Sequence, residues 1–342
     1  MPEGERILQR KPGPGERPPW REELLRSVTD AEELLHLLEL PPALLPGVRA
    51  GERAAGGFPL RVPRPFVARM RRGDPADPLL RQVLPGLEEG RPAPGFLADP
   101  LGEAAAQPVP GLLRKYRGRA LLVLTGACAV HCRYCFRRHF PYGEASLDLG
   151  PALAALAEDE DLTEVILSGG DPLVWDDARL GALARRLSAL PRLRRLRIHT
   201  RLPVVLPARV DEALLGWLGD LPVTPVVVVH CNHPRELDAE TGAALGRLRA
   251  AGVQVLNQAV LLRGVNDSAA VLAELSERLL EAGALPYYLH LLDRVAGAAH
   301  FEVPEAEARA LVAELRRRLP GYLVPRLARE RPGAPAKEVL LA

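Results

Sequence analysis

The chain reads as an α/β protein built on a partial (β/α)6 barrel. Six short apolar runs, amphipathic segments of helical length between them, and polar residues gathered at the C-terminal ends of the runs predict this. The runs fall at 120–125, 164–168, 196–200, 223–230, 254–262 and 286–292. Helical periodicity fits 178–190, 209–218, 239–251, 268–282 and 304–319. Strands joined by such helices pair in parallel, and barrels of this kind carry their chemistry at the C-terminal strand ends.

Ahead of the barrel, residues 1–110 read as a helical region rich in proline and glycine. Thr29-Asp30-Ala31-Glu32 has the pattern of a capping box opening a helix over 31–40, which Pro41, Pro42 and Pro46 stop. A second helix is expected over 65–72, and the stretch 73–110 is expected to wrap over the neighbouring domain. The barrel is expected over 111–320 and a short C-terminal segment over 321–342.

Composition narrows the function. Hydrophobic residues make up 47% of the 342 and charged residues 26%, as in soluble globular proteins. A net charge of +2 offers no electrostatic case for a nucleic-acid or membrane-surface partner. No apolar run approaches the roughly 20 residues of a spanning helix. The start, Met1-Pro2-Glu3-Gly4-Glu5-Arg6, lacks a signal core, so a cytoplasmic location is expected, where cysteines serve metal or redox chemistry rather than disulfides. Lysine and arginine total 45, yet only Lys11, Lys115 and Lys337 are lysines. Arginine replaces lysine as a cation but cannot form a Schiff base, so the remaining lysines merit inspection. Lys337 ends the irregular stretch Arg331-Pro332-Gly333-Ala334-Pro335-Ala336-Lys337, where a solvated tail lysine is the plainer reading.

Three of the four cysteines, Cys128, Cys132 and Cys135, follow the first run with spacing C-x3-C-x2-C. Three thiolates on one loop can take three irons of a [4Fe–4S] cluster and leave the fourth iron open to a substrate or cosubstrate. A zinc site would need a fourth ligand, which His131 or His139 could supply. The C-x3-C-x2-C spacing resembles that of radical S-adenosylmethionine (SAM) enzymes, in which the open iron holds SAM.

Other strand ends add candidates. Tyr134 beside the last cysteine is a stacking partner for adenine or an ordinary loop aromatic. Ser168-Gly169-Gly170-Asp171-Pro172 follows the second strand, where glycines admit close approach of a ligand and Asp171 can accept from the SAM ammonium. His230 and Gln258 end two further strands; a lone histidine there is more often structural. Cys231 reads as a buried thiol. Arg137 and Arg138 follow the cysteines, and a guanidinium there can grip a carboxylate bidentately. Asp293 is placed at the end of the last barrel strand, and Glu330 precedes the Lys337 loop.

Taken together, these stretches resemble the lysine 2,3-aminomutase family of pyridoxal-phosphate (PLP)-dependent radical SAM enzymes. The resemblance also runs through 73–82, Asp99-Pro100-Leu101-Gly102-Glu103, His230-Cys231-Asn232-His233-Pro234, 257–267 and Tyr287-Tyr288-Leu289-His290. The N-terminal block Trp20 with Val28-Thr29-Asp30-Ala31-Glu32-Glu33-Leu34-Leu35, and a shorter C-terminus than free-lysine aminomutases have, look like the branch that serves β-lysylation of elongation factor P.

The resemblance implies a radical SAM barrel with a C-terminal PLP segment, an isomerase that converts α-lysine to β-lysine, and three cofactors: [4Fe–4S], SAM and PLP. It implies Lys337 as the PLP lysine, Arg119 for the PLP phosphate, Arg137 for the substrate carboxylate, and Asp293 with Glu330 for the lysine ε-ammonium. Glu330 stands where the family has Asp, and Gly333-Ala334-Pro335-Ala336-Lys337 departs from the family's glycine-rich loop. Implied partners are a flavodoxin- or ferredoxin-type reductant, elongation factor P with its ligase, and a second copy in a homo-oligomer. Three rival readings are a radical SAM enzyme without PLP, a non-enzymatic metal-binding module, and an aminomutase making free β-lysine as a solute.

Overall fold

The computed structural model describes residues 18–56, 58–142 and 148–341. Lys11, the Met1–Arg6 start and the rest of the first 17 residues of the expected N-terminal region lie outside them. The described chain begins with short helices α1 (Pro19–Leu25), α2 (Ala31–Leu37), α3 (Leu45–Ala54), α4 (Arg64–Ala68) and α5 (Pro78–Arg81). Proline occupies the first turn of four of them, where its missing N–H leaves no bond unmade.

The expected caps shift slightly. Asp30, rather than Thr29, caps α2, its carboxylate accepting from Glu33 N at 2.9 Å. That helix stops at Leu37 rather than residue 40 because Glu39 turns left-handed at φ 54°. The second expected helix is shortened to α4 and does not reach residue 72; Arg71 N is drawn off by Asp77 Oδ2 at 2.9 Å.

One nine-stranded sheet follows in chain order: β1 (Leu112–Tyr116), β2 (Arg119–Thr125), β3 (Glu164–Gly169), β4 (Arg195–Thr200), β5 (Thr224–His230), β6 (Gln254–Val260), β7 (Leu285–His290), β8 (Arg326–Arg329) and β9 (Glu338–Val339). Strands β2 through β8 run parallel, while β1 and β9 join the two edges antiparallel. Helices α6 (Gly150–Ala157), α7 (Asp177–Ser188), α8 (Leu202–Val205), α9 (Glu212–Gly219), α10 (Ala239–Ala250), α11 (Ala269–Glu281) and α12 (Glu305–Arg318) complete the crossovers. The six expected strands are β2 to β7, with starts within one residue of those read from the apolar runs. Val227, Val228 and Val229 are all buried, the consequence of a parallel strand covered on both faces.

Side-chain caps set where the barrel helices begin. Asp176, Asp211, Asp238 and Ser268 each accept from the backbone N–H three residues on. Asp211 therefore delays the helix expected from residue 209 to Glu212. Gly252 and Gly283, at φ 82° and 84°, end α10 and α11.

Two features of the sheet lie outside the sequence reading. β7 stops at His290, so Asp293 lies three residues past the strand it was expected to end. β8 then pairs with β7, and Arg329 pairs with Glu338 of β9. That hairpin register folds the 330–337 stretch back on itself and returns Lys337 to Glu330.

The N-terminal segment is tied down by buried charge. Arg133 Nη2 and Arg138 Nη2 both reach Glu89 Oε2 at 2.6 Å, with all three side chains at most 1% exposed. Arg209 lies 4.5 Å over the buried Trp20 ring. No described helix is long and apolar enough to cross a membrane.

Glu89→Ala would leave two buried guanidinium groups without a carboxylate. It is expected to lower stability by about 3–5 kcal/mol, the cost of breaking a buried ion pair. Arg117→Ala, which removes a surface pair with Asp161 (side chains 86% and 54% exposed), is expected to leave the urea midpoint essentially unchanged. Urea unfolding of the two variants checks the contrast.

Candidate active site

A cleft of about 310 Å³ runs along the inner face of the open sheet, and the site residues expected from the sequence line it, apart from Arg138 and His139. The cysteine loop, which leaves the end of β2, forms part of its wall. The Gly169-Gly170 turn at the end of β3 packs directly beneath it: Gly170 N donates to Thr125 O at 2.6 Å and Asp171 N to Ala127 O at 2.9 Å. A Cβ on Gly170 would fall 2.4 Å from Ala127 O, and Gly169 adopts φ 120°. The close approach anticipated for these glycines is thus to the cysteine-loop backbone.

The three loop cysteines are free thiols. Burial and the neighbouring cysteines push Cys128 well up, and Cys135 to about 11. Metal binding relieves that cost, because a thiolate bonded to iron needs no proton. Among the described residues no three His, Cys, Asp or Glu side chains converge on a single ion; the thiolates of an iron–sulfur cubane each take a different iron. Arg201, buried, donates from Nη1 to Cys132 Sγ at 2.7 Å. The donor set fits the cluster, and Arg201 would stand as its outer hydrogen-bond partner.

Two expectations change in detail. Arg137 does make a bidentate pair, but with Glu103: Nε to Oε2 at 2.7 Å and Nη2 to Oε1 at 2.9 Å. Its Nη1 donates to Ser168 Oγ at 3.0 Å, so the fork is closed on the protein before any substrate carboxylate arrives. Asp171 is also engaged. Its carboxylate accepts from Thr200 Oγ1 at 2.7 Å, Arg201 N at 2.7 Å and Leu173 N at 3.0 Å. It ties the Gly-Gly turn to the end of β4 rather than offering open acceptors to an ammonium.

Tyr134 stacks on His230 at 5.6 Å and meets the edge of Phe301 at 6.0 Å, bracing the loop from behind. Its hydroxyl contacts His230 Nε2 at 2.8 Å and receives Asn232 Nδ2 at 2.7 Å. Burial, helped by the Arg201 charge, holds His230 at about 3 and so neutral. His199 and His290 are likewise pushed low by burial.

Elsewhere along the cleft the acids and lysines meet. Glu330 lies 3.4 Å from Lys337 Nζ and 2.7 Å from Lys115 Nζ. Lys115 also reaches Glu103 at 3.0 Å. Burial raises Glu330 and Glu103, but their cations outweigh it; Glu103 is held at about 2 by Arg137 and Lys115, and Glu330 falls below its ordinary value. Asp293 is different. Burial, then the adjacent Glu330, pushes its carboxyl up to about 7 against the pull of Lys337 and Lys115.

The far end suits an anionic aromatic cofactor with a phosphate. Arg119 opens β2 and makes no ion pair among the described residues, its guanidinium lying 5.2 Å over the Tyr116 ring. His199 Nε2 and Arg197 Nε are buried without hydrogen-bond partners, and both residues line the cleft. Lys337 Nζ sits 5.4 Å from the Tyr288 ring centroid. Orphaned buried polar atoms beside an unpaired arginine and a lysine amine fit PLP.

Glu103, Lys115, Arg201 and His199 were not singled out as site residues from the sequence. The scarcity of lysine already marks Lys115, by the argument that marks Lys337. Glu103 and Arg201 carry no local signal among 43 acids and many arginines.

No protein-family model matches the chain. The L-lysine 2,3-aminomutase of Escherichia coli (strain K12) is 50% identical over 324 residues, covering 94% of this chain and 94% of its own. That of Haemophilus influenzae is 45% identical, covering 97% and 98%. That of Clostridium subterminale is 33% identical over 93% of this chain and 76% of its own. The thiol loop, the lysine amine and the paired acids therefore sit in a chain that belongs to the L-lysine 2,3-aminomutase family.

Proposed function

We propose that this protein is a radical SAM, PLP-dependent L-lysine 2,3-aminomutase that moves the amino group of L-lysine from C2 to C3 to give β-lysine. The carrying observation is a single cleft joining three thiols, a lysine amine with an unpaired arginine, and a half-buried acid pair. When bound, the reduced cluster and SAM supply hydrogen-atom abstraction at Cβ, and PLP supplies the conjugated ring that steadies the migrating nitrogen.

The chain's own residues bind and orient. Cys128, Cys132 and Cys135 hold the cluster, and Ser168, Gly169, Gly170 and Gln258 border the space beside it for SAM. Lys337 and Arg119 hold PLP at amine and phosphate. Asp293 and Glu330 receive the ε-ammonium, while Arg137, already balanced by Glu103, presents positive charge to the carboxylate end. Two acids at the distal end disfavour glutamate, whose side-chain carboxylate would meet like charge. Neutral His199, His230 and His290 line the cleft without adding charge, and the buried walls keep water from a reactive centre.

The product's use in modifying elongation factor P is part of the proposal. It rests on the N-terminal block from Trp20 to Leu35 and on the higher identity to the enterobacterial and Haemophilus relatives than to the clostridial one. A cytoplasmic location and a flavodoxin- or ferredoxin-type electron donor complete it.

Anaerobic reconstituted protein given SAM, PLP, dithionite and L-lysine is expected to make β-lysine, detected by mass spectrometry. Deoxyadenosine without β-lysine would mean another substrate, and neither product from cluster-loaded protein would end the enzymatic reading. Lys337→Ala is expected to lose PLP absorbance and turnover while keeping iron. Cys132→Ala should lose iron and turnover while keeping PLP absorbance.

The raised Asp293 carboxyl sets a pH dependence. Below about 7 it is protonated and cannot ion-pair with ammonium, so kcat/KM for lysine is expected to rise with pH through about 7. Asp293→Asn should abolish that rise and lower kcat/KM by at least about 30-fold at pH 8, the loss expected on truncating one side of a buried charge pair. A kcat/KM profile from pH 6 to 9 for both proteins checks it.

A further inference from the structure

Lys115 stands outside every role assigned above, and the structure gives it an unusual position. It lies on β1, the antiparallel edge strand added to the barrel. Its ammonium touches two carboxylates from distant parts of the chain: Glu103 Oε1 at 3.0 Å and Glu330 Oε1 at 2.7 Å. Glu103 in turn closes on Arg137, and Glu330 on Lys337 at 3.4 Å. The result is an unbroken line of alternating charge, Arg137–Glu103–Lys115–Glu330–Lys337. It runs from the group proposed for the substrate carboxylate to the group proposed for PLP.

Two of the chain's three lysines are in this line, in a protein that otherwise uses arginine for cationic work. The charges also count. Glu103, Asp293 and Glu330 bring three carboxylates; Arg137 and Lys115 are fixed cations that balance two. One negative charge remains for a mobile ammonium, which is Lys337 here and the ε-ammonium of lysine in the bound state.

We propose that Lys115 is a positioning residue that holds Glu330 against Glu103 and supplies fixed positive charge beside the acid pair, so that the cleft presents one open negative charge to a substrate with one distal cation. The inference rests on the lysine aminomutase reading. The groups facing Asp293 are Glu330 and Lys337 from the C-terminal turn, Lys115 from β1 and Glu103 from the segment before it. Removing Lys115 leaves Glu330 and Asp293 with less opposing charge, and the pair then retains a proton to higher pH.

The experiment is the pH profile of kcat/KM for lysine in wild type, Lys115→Met and Lys115→Arg holoenzymes, with iron and PLP absorbance measured on each. Lys115→Met is expected to move the acid limb up by about one pH unit, lowering kcat/KM about tenfold below the limb. The loss should fall mainly in KM, because ammonium binding is ground-state binding. Lys115→Arg should keep the limb where it is. An unmoved limb in a Lys115→Met enzyme that retains iron and PLP overturns the inference alone. Should Lys115→Met fail to load its cofactors, Lys115→Arg decides: a wild-type limb supports the role and a displaced one overturns it. A wild-type enzyme that makes no β-lysine overturns the functional reading, and this inference with it.

Discussion

Buried arginine must be given a carboxylate, and the architecture around the cysteine loop follows from that requirement. Arg133, Arg137 and Arg138 sit within or just after the cysteine motif, and Arg201 reaches it from the end of β4. Glu89 serves Arg133 and Arg138, Glu103 serves Arg137, and Glu236 serves Arg201 at 3.1 Å. Glu89 and Glu103 both come from the proline- and glycine-rich segment ahead of the barrel. That segment cannot leave without stranding three cations, so it lies against the cleft and becomes part of its wall.

The same charges make a site for cofactors. Cys128 and Cys135 resist ionisation through desolvation and mutual proximity, and nearby guanidinium groups only partly offset this. Iron completes the compensation. Below the loop, the Gly169-Gly170 turn supports the cysteine backbone by direct contact, and Asp171 fastens that turn to β4 through Thr200 and Arg201. The residues nearest the thiols therefore mostly hold one another in place, and the less committed groups lie elsewhere along the cleft.

There the electrostatics are uneven in a useful way. Glu103 and Glu330 are pinned by cations and held low, whereas Asp293 is pushed to about 7 by burial and by Glu330. An acid pair with one partner committed and one poised responds to an arriving ammonium more strongly than two committed acids would. Neutral histidines around it keep the lysine amines and arginines as the cations of the cleft.

The linear sequence determined the period of the barrel, since six apolar runs with helices between them leave few parallel arrangements, and it determined the cysteine loop, because ligand spacing is local. Lys337 was reached through lysine scarcity together with family resemblance. Strand β1 and the β8–β9 hairpin were not legible: strands of two to five residues carry too little alternation to register. Nor were the partners of Arg137 and Asp171, because both look open until Glu103 and Thr200 arrive from 34 and 29 residues away. Only the tertiary structure decided which charges are shared, since burial and pairing belong to neighbours in space. It placed Lys115 between two acids, returned Lys337 to Glu330 through the hairpin register, and left Asp293 the one acid raised by its surroundings in that group.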